Sequence, residues 1–212
     1  MHFFDIANIA FSALDYKVSY IELIGTLFGL ISVYYASRAN ILTWSTGIVN
    51  EFFLCLLFFQ VQLYADMLLQ VYFFTVTIYG WYYWKSGTTD RSITTLTNSA
   101  RLFVSGVIAL GTVLAGMLFS NIHVYLPQYF KLPAAYPYID SLVMVMSIVA
   151  TIMLAQKKLE SWYLWLLVDC ISVALYYKKG VYFLSLEYLV FLGLAYYGLC
   201  NWRKQLKFCT VI

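Results

Sequence analysis

One apolar segment of the chain sets a carboxylate among aromatic rings at helical spacing. Five side chains within residues 161–177 fall at i, i+3, i+7, i+10 and i+14 and so line one face of a helix: Trp162, Trp165, Asp169, Ser172 and Tyr176. Such a face can hold a flat, cationic or hydroxylated ligand, because the rings stack on it and the carboxylate attracts a cation. Alternatively, Trp162 anchors the helix at a membrane interface, which leaves the deeper Asp169 and Ser172 poorly explained.

Acidic side chains recur inside the other apolar stretches, where a charge costs about 2.5–3.5 kcal/mol and usually reflects function. Glu51 lies in the middle of one stretch, Glu187 precedes Tyr188 inside another, and Asp66 lies near the start of a third. The sequence places no Lys or Arg in the interior of these stretches. Two interpretations stay open: the acids are protonated or hydrogen-bonded structural groups, or they face a wet cavity that accepts a cation or a polyhydroxylated solute.

Two amides add hydrogen-bonding capacity at similar depth. Asn50 shares a helix face with Thr43 and Thr46, and Gln70 shares one with Thr77. They could bind the polar edge of a ligand, or they could cross-link helices at about 0.6 kcal/mol each. The substrate-binding set predicted from all these patterns is Asn50, Gln70, Trp162, Trp165, Asp169, Glu187 and Tyr188.

Other kinds of chemistry find little support in the sequence. The four cysteines have no CxxC spacing, and His2 and His123 have no partner at ligand spacing, so we expect neither a disulfide nor a metal or other cofactor. No HExxH, GxSxG or paired-Asp motif is present, which argues against an intramembrane enzyme. A retinal-binding receptor would need a Lys in the last apolar stretch, and that stretch has none.

The composition of the chain indicates that these residues lie in a membrane. The chain is 63% apolar and 11% charged over 212 residues, far too hydrophobic for a soluble domain. Seven stretches are long enough to cross a bilayer as helices: 20–36, 41–60, 64–84, 101–120, 137–155, 161–177 and 181–202. Residues 1–19 are expected to form an amphipathic lead-in at the membrane interface. The sequence thus predicts an all-α membrane protein with seven transmembrane helices.

The chain nearly repeats itself without gaps at an offset of 118 positions. Sliding Ile21–Lys85 onto Ile139–Arg203 matches tryptophan, tyrosine–glycine and acidic positions, among them Trp44 with Trp162 and Glu51 with Asp169. A three-helix unit copied directly needs one extra crossing to regain its orientation. We therefore predict a 3+1+3 arrangement of two parallel repeats, 20–85 and 137–203, joined by a loop and linker helix over 86–121 and followed by a tail, 204–212.

The basic residues divide unevenly between the two sides of the membrane. The side that holds the N-terminus receives four: Lys17, Lys131, Lys178 and Lys179. The other side receives nine: Arg38, Lys85, Arg91, Arg101, Lys157, Lys158, Arg203, Lys204 and Lys207. The positive-inside rule then places the N-terminus outside and the C-terminus in the cytoplasm. The net charge of +3 reflects this bias and does not indicate nucleic-acid binding.

Several of the same segments resemble a known transporter family. The stretches FFQVQLYADMLLQVYFF (58–74), IYGWYYW (78–84), ESWYLW (160–165) and GVYFLSLEYLV (180–190) resemble the PnuC nicotinamide riboside transporters. The resemblance extends from IELIGT (21–26) to NW (201–202). One departure is Asp169, at which some relatives carry a neutral amide.

The resemblance implies a bacterial inner-membrane protein of SWEET-like 3+1+3 fold, a homotrimer that carries nicotinamide riboside inward by facilitated diffusion. A cytoplasmic riboside kinase would then trap the substrate. The riboside is a pyridinium nucleoside, which suits aromatic faces, amides and the carboxylates of Asp169 or Glu187. Carriers of thiamine or riboflavin share the fold, so these vitamins and a SWEET-like sugar remain the alternative substrates.

Overall fold

Seven α-helices account for most of the computed structural model, which describes residues 4–13, 16–60, 64–86, 92–128, 135–180 and 182–209. Their bounds are α1 Tyr20–Ser37, α2 Leu42–Gln60, α3 Tyr64–Lys85, α4 Asn98–Tyr125, α5 Pro137–Ala155, α6 Glu160–Lys178 and α7 Tyr182–Cys209. The prediction of seven helices is confirmed. Helices α4 and α7 extend beyond the predicted spans, because amphipathic turns continue them past the apolar stretch.

The helix starts follow local sequence signals. Ser19 caps α1 by accepting a hydrogen bond from the backbone N–H of Glu22 at 3.2 Å. Thr97 caps α4 in the same way through Ala100 N–H at 3.3 Å, and Pro137 occupies the first turn of α5, where no backbone N–H is required. The chain therefore marks these three helix starts by residue type.

Five helices among the described residues are long and apolar enough, on their own, to span a membrane. They are α1, α2, α4, α5 and the Leu184–Lys207 part of α7. The sequences of α3 and α6 are rich in tyrosine, tryptophan and polar side chains, which lower their mean hydropathy. Each of these two helices packs between two others, α3 between α2 and α5, and α6 between α5 and α7.

Six of the helices form a closed ring. Along the ring, α1 contacts α2, α2 contacts α3, α3 contacts α5, α5 contacts α6, α6 contacts α7, and α7 returns to α1. Helix α4 packs on the outside, against α5. Its glycines permit this approach, because a methyl group at Gly116 would collide with the ring of Tyr138 and one at Gly111 would lie 3.1 Å from Val145.

The N-terminal segment adds a small sheet to the helical bundle. Strands β1 (Ile9–Ala13) and β2 (Tyr16–Ser19) pair antiparallel as a hairpin that leads directly into α1. Gln60 at the end of α2 fixes the segment, accepting from Ile6 N–H at 2.9 Å and donating to Phe4 O at 2.7 Å. The prediction of an all-helical bundle is confirmed for α1–α7, and residues 9–13 and 16–19 add a hairpin held by ladder hydrogen bonds, which the predicted interfacial lead-in did not include.

At the opposite end of the bundle, equivalent tryptophan–glycine contacts occur 118 positions apart. Trp44 on α2 covers Gly80 on α3 so closely that a Cβ there would collide with the indole. Trp162 on α6 covers Gly198 on α7, where an added Cβ would lie 2.6 Å from the ring. Only glycine allows these helices to approach so closely. One contact packs α2 against α3, and the other packs α6 against α7.

Two further tryptophans join these contacts into one cluster. Trp84 meets Trp44 edge to face with ring centroids 5.2 Å apart, and Trp202 meets Trp162 in the same way at 5.6 Å. Trp84 and Trp202 lie 6.5 Å from one another. We call these four residues the tryptophan cluster, the end that carries them the tryptophan end, and the other end the hairpin end.

The segment before α4 packs onto the tryptophan cluster. Thr94 forms a parallel bridge with the α5–α6 turn: its N–H donates to Lys157 O at 3.0 Å, and its carbonyl accepts from Leu159 N–H at 2.9 Å. Ile93 is buried against Trp162 and Trp202. We call residues 92–97 the strap.

Close packing at Gly198 yields a testable prediction about stability. Gly198→Ala should lower the thermal unfolding midpoint of the purified protein, because the new methyl group overpacks the contact with Trp162 at a cost of about 1–3 kcal/mol. The matched control is Gly193→Ala on the same helix, where nothing lies within 4 Å of the new Cβ. That change should leave the midpoint unchanged or raise it, since alanine favours helix over glycine by about 1 kcal/mol. Equal midpoints for the two variants would contradict the packing.

Candidate functional site

The halves of α6 and α7 that face the hairpin end bring aromatic and acidic side chains together. Tyr176 and Tyr188 stack with their rings nearly parallel, 9° apart, and their centroids 5.4 Å apart. Asp169, only 3% exposed, lies about two turns from Tyr176 along α6, and Ser172 lies between them beside the Tyr188 side chain. Asp169 and Glu187 are both close enough to Tyr188 to act on it electrostatically. This part of α6 and α7 therefore places carboxyl groups near flat rings.

A second carboxylate lies beside Glu187, towards the hairpin end. Glu187 faces Thr26 on α1 and is electrostatically coupled to Glu22, whose carboxylate accepts a 2.8 Å hydrogen bond from the Tyr16 hydroxyl. Burial and this hydrogen bond raise the pKa of Tyr16, on β2, to about 12. The phenol thus stays protonated at physiological pH and remains a donor to Glu22. This part of the bundle is acidic and is bordered by the hairpin.

Lys179 lies close to the stacked tyrosines. The Lys179 ammonium lies 5.6 Å from the Tyr176 ring and forms a 2.8 Å ion pair with Asp140. Because Asp140 offsets its charge, the lysine does not cancel the negative potential of the deeper acids. The arrangement favours a ligand that carries a positive charge and a flat ring.

Asn50 connects α2 to this region through α1. Its side-chain N–H donates to Gly25 O at 2.8 Å, as expected of an amide that cross-links helices. A Cβ at Gly29 would lie 2.9 Å from the Asn50 amide and 3.7 Å from Phe191 of α7. Phe191 in turn lies 6.3 Å from the Tyr188 ring. Asn50 therefore lies near the α6–α7 site, with one amide hydrogen already in use.

Gln70 lies elsewhere, at the interface of α2 and α3. It lines a cavity of about 170 Å³ together with Glu51, Cys55, Val71 and Phe74. Glu51 is 7% exposed and accepts a 2.5 Å hydrogen bond from the Thr77 hydroxyl, whereas its second oxygen has no partner in the described part of the chain. Val71 and Phe74 are exposed, so this cavity opens on the outside of the bundle.

Trp162 and Trp165 lie at the tryptophan end, apart from the acidic residues. Trp162 is 1% exposed and is enclosed by Trp202, Gly198 and its other neighbours in the core. Trp165 is partly buried at the edge of the same core, one turn closer to Asp169. A ligand could reach Trp165 from the Asp169 side, but contact with the face of Trp162 would require the cluster to separate.

The structure thus divides the predicted residues into three groups. Asp169, Glu187, Tyr188 and Asn50 lie around the α6–α7 site, Trp162 and Trp165 lie at the tryptophan end, and Gln70 lies between α2 and α3. The residues missing from the prediction are Glu22, Thr26 and Phe191. Thr26 and Phe191 have no charge or amide that would identify them in the sequence. Their positions depend on how α1 meets α7, and helix periodicity alone does not specify that contact.

Other types of site find no support within the described ranges. They contain no group of three or more His, Cys, Asp or Glu side chains placed to hold a metal ion. The described cysteines Cys55, Cys170 and Cys200 are free thiols.

Comparison with known proteins shows similarity to membrane transporters over nearly the whole chain. The family described as nicotinamide mononucleotide transporter matches residues 19–204. The nicotinamide riboside transporter PnuC of Escherichia coli K12 is 35% identical over 98% of this chain and 96% of its own length. The riboflavin/roseoflavin transporter RibM of Streptomyces davaonensis is 27% identical over 91% of this chain and 89% of its own.

A solved structure shares the fold. The crystal structure of the vitamin B3 transporter PnuC matches with a TM-score of 0.67 at 23% identity, covering 89% of this chain and 82% of that one. These matches confirm the resemblance found in the sequence and the expectation of a transporter rather than an enzyme. The chain belongs to the nicotinamide mononucleotide transporter family of membrane transporters.

Proposed function

We propose that this protein carries nicotinamide riboside across the membrane by facilitated diffusion. The observation that carries the proposal is the 35% identity, over nearly the full length of both chains, to a transporter named for that substrate. The α6–α7 site supports it independently, because stacked tyrosines beside Asp169 and Glu187 suit a pyridinium ring. Asn50, with its remaining amide groups, would bind the carboxamide or the ribose hydroxyls.

Charge distinguishes the riboside from two related substrates. The family is named for nicotinamide mononucleotide, which carries a phosphate. In the α6–α7 site this phosphate would lie among carboxylates. The nearby Lys179 is already paired with Asp140. Like charges repel, so the phosphorylated form would fit poorly beside Asp169 and Glu187. Riboflavin, suggested by the relative RibM, is the second candidate; its flat ring could stack on tyrosine, but it is neutral and gains nothing from the acids.

The proposed mechanism uses two parallel three-helix units, α1–α3 and α5–α7, with α4 as the linker. Equivalent contacts 118 positions apart support this 3+1+3 arrangement: Trp44 with Gly80, and Trp162 with Gly198. The interfaces between the units also correspond, since α1 meets α7 and α3 meets α5. Rocking one unit against the other would expose the α6–α7 site first to one side and then to the other.

The remaining residues receive roles within this mechanism. Trp165 would border the path between the α6–α7 site and the tryptophan end, and Trp162 would contact substrate only after the cluster separates. Gln70 lies on α3 and would bind substrate only if a movement of the two units brought α3 towards the substrate. The setting is the bacterial inner membrane, with the hairpin end outside and the tryptophan end in the cytoplasm, where Arg38, Arg101 and Arg203 accumulate. Assembly as a homotrimer and trapping by a riboside kinase complete the proposal.

Transport should proceed without an ion gradient. No Lys, Arg or His among the described residues lies deep inside the bundle beside Asp169 or Glu187 to form a proton relay. Proteoliposomes loaded with unlabelled riboside should therefore accumulate labelled riboside by counterflow with equal ion composition on both sides. Accumulation that appears only with an imposed proton or sodium gradient would contradict facilitated diffusion.

Glu187 should favour the cationic substrate over a neutral analogue. Glu187→Gln keeps the shape and one acceptor oxygen but removes the negative charge, so affinity for nicotinamide riboside should fall about tenfold, equivalent to roughly 1.4 kcal/mol. Affinity for the uncharged reduced riboside should change little. Calorimetric titration of both ligands into both proteins measures the ratio.

The matched control is Glu22→Gln on the neighbouring helix. Its carboxylate accepts the Tyr16 hydrogen bond at 2.8 Å and lies closer to the hairpin end, so its loss should alter the ratio less. If Glu187→Gln leaves the ratio of the two affinities as it was, Glu187 is a structural group and supplies no potential to the site.

A further inference from the structure

The tryptophan cluster contains two kinds of indole. Trp44 and Trp162 pack against glycines within their own three-helix unit, and their ring N–H groups have no hydrogen-bond partner in the described part of the chain. Trp84 and Trp202 instead donate their ring N–H groups across the boundary between the units. Trp84 bonds to Ala155 O at the end of α5, and Trp202 bonds to Ala36 O at the end of α1, both at 2.9 Å.

These two bonds are reciprocal. A residue of α3 in the first unit bonds to the last residue of α5 in the second, and a residue of α7 in the second unit bonds to the last turn of α1 in the first. Ala36 and Ala155 are fully enclosed, and Trp202 is 0% exposed. Ala36 O also accepts from Ala39 N–H at 2.9 Å, so the indole shares that carbonyl.

Both bonds lie on the interfaces that must part if the units rock. Helices α1 and α7 form one interface and α3 and α5 the other, and each interface carries one indole–carbonyl bond. The tryptophan–glycine contacts, by contrast, join helices inside a unit and can survive the movement. We propose that the Trp84–Ala155 and Trp202–Ala36 bonds are the gate at the tryptophan end, intact when this end is closed and broken when it opens. This rests on the proposed two-unit alternation.

The strap reinforces the same gate. Ile93 packs in the core beside Trp162 and Trp202, and Thr94 pairs with the α5–α6 turn that follows Ala155. The Lys157 ammonium in that turn lies 4.7 Å from the centroid of the Trp84 ring. Glu160 then accepts from Leu96 N–H at 3.0 Å and pairs with Arg101 at 2.9 Å. The strap therefore holds in place the carbonyl that Trp84 binds.

The expected strength of each bond sets the size of the effect. Opening admits water, which replaces the indole as a partner for the carbonyl, so each bond favours the closed state by the modest net amount typical of such exchanges. Removing one N–H should increase the open fraction about fivefold, and removing both should increase it further.

Cysteine accessibility measures the open fraction directly. Ala195 is 1% exposed and lies in the core beneath Trp202 and Leu199. In a background carrying Cys55→Ser, Cys170→Ser, Cys200→Ser and Cys209→Ser, Ala195→Cys should react slowly with a membrane-impermeant maleimide. Adding Trp84→Phe or Trp202→Phe should raise the labelling rate about fivefold from the tryptophan-end side and not from the other, in right-side-out and inside-out vesicles.

Trp44→Phe is the matched control, because it shortens an indole of the same cluster whose N–H has no described partner. Its labelling rate should stay near that of the parent. Where a phenylalanine variant does not fold, 3-benzothienylalanine at position 84 or 202 keeps the fused-ring shape and exchanges only the N–H for sulfur. It should increase labelling as phenylalanine does.

Two outcomes would overturn the gate. One is equal labelling rates for the parent, Trp44→Phe, Trp84→Phe and Trp202→Phe; the other is the absence of labelling at the thiol introduced by Ala195→Cys in every variant from both sides. Because labelling requires no substrate, failure of the riboside proposal would leave these rates unchanged, and the two failures can be told apart.

Discussion

The closure of the helix ring depends on how the ends of α1 and α5 satisfy their carbonyls. In an apolar environment a backbone oxygen without a partner costs several kcal/mol, and the last four carbonyls of a helix have no partner within the helix. Residues after the helix satisfy some of them, as Ala39 N–H does for Ala36 O. The chain supplies one donor to each end from the opposite side of the ring: Trp202 to Ala36 and Trp84 to Ala155. Each donor joins segments that are far apart in sequence, so these bonds stabilise the α1–α7 and α3–α5 contacts that close the ring.

The two ends of the bundle differ in packing and in chemistry. The tryptophan end is tightly packed and held by directional bonds, with glycines at 80 and 198 that permit the indoles to enter. Towards the hairpin end, the carboxyl groups of Asp169 and Glu187 lie near the stacked tyrosines. A cationic ring would be attracted to this region and would pass the tryptophan end only when the bonds between the units release. In the proposed mechanism, recognition and gating would lie on separate parts of α6 and α7.

The sequence predicts the elements better than their assembly. Apolar runs located all seven helices, and the 118-residue offset matched Trp44 with Trp162, which the structure shows in equivalent contacts with glycines. Helix periodicity alone could not tell which tryptophan side chain is accessible and which is enclosed. Trp162 and Asp169 share one face of α6, but they lie about two turns apart, and Trp162 is enclosed in the core. The hairpin at 9–19 was missed, because a two-stranded sheet depends on ladder bonds and on Gln60, far away in sequence. Gln70 shows the same limit: its neighbours are set by how α2 meets α3.

The most direct measurement of the central claim compares substrates in one preparation of proteoliposomes. Uptake of labelled nicotinamide riboside should be inhibited by unlabelled riboside at the lowest concentration, by riboflavin less effectively, and by nicotinamide mononucleotide least, because its phosphate meets the carboxylates of Asp169 and Glu187. Inhibition by the mononucleotide at concentrations equal to or below those of the riboside would contradict a site built for a cation.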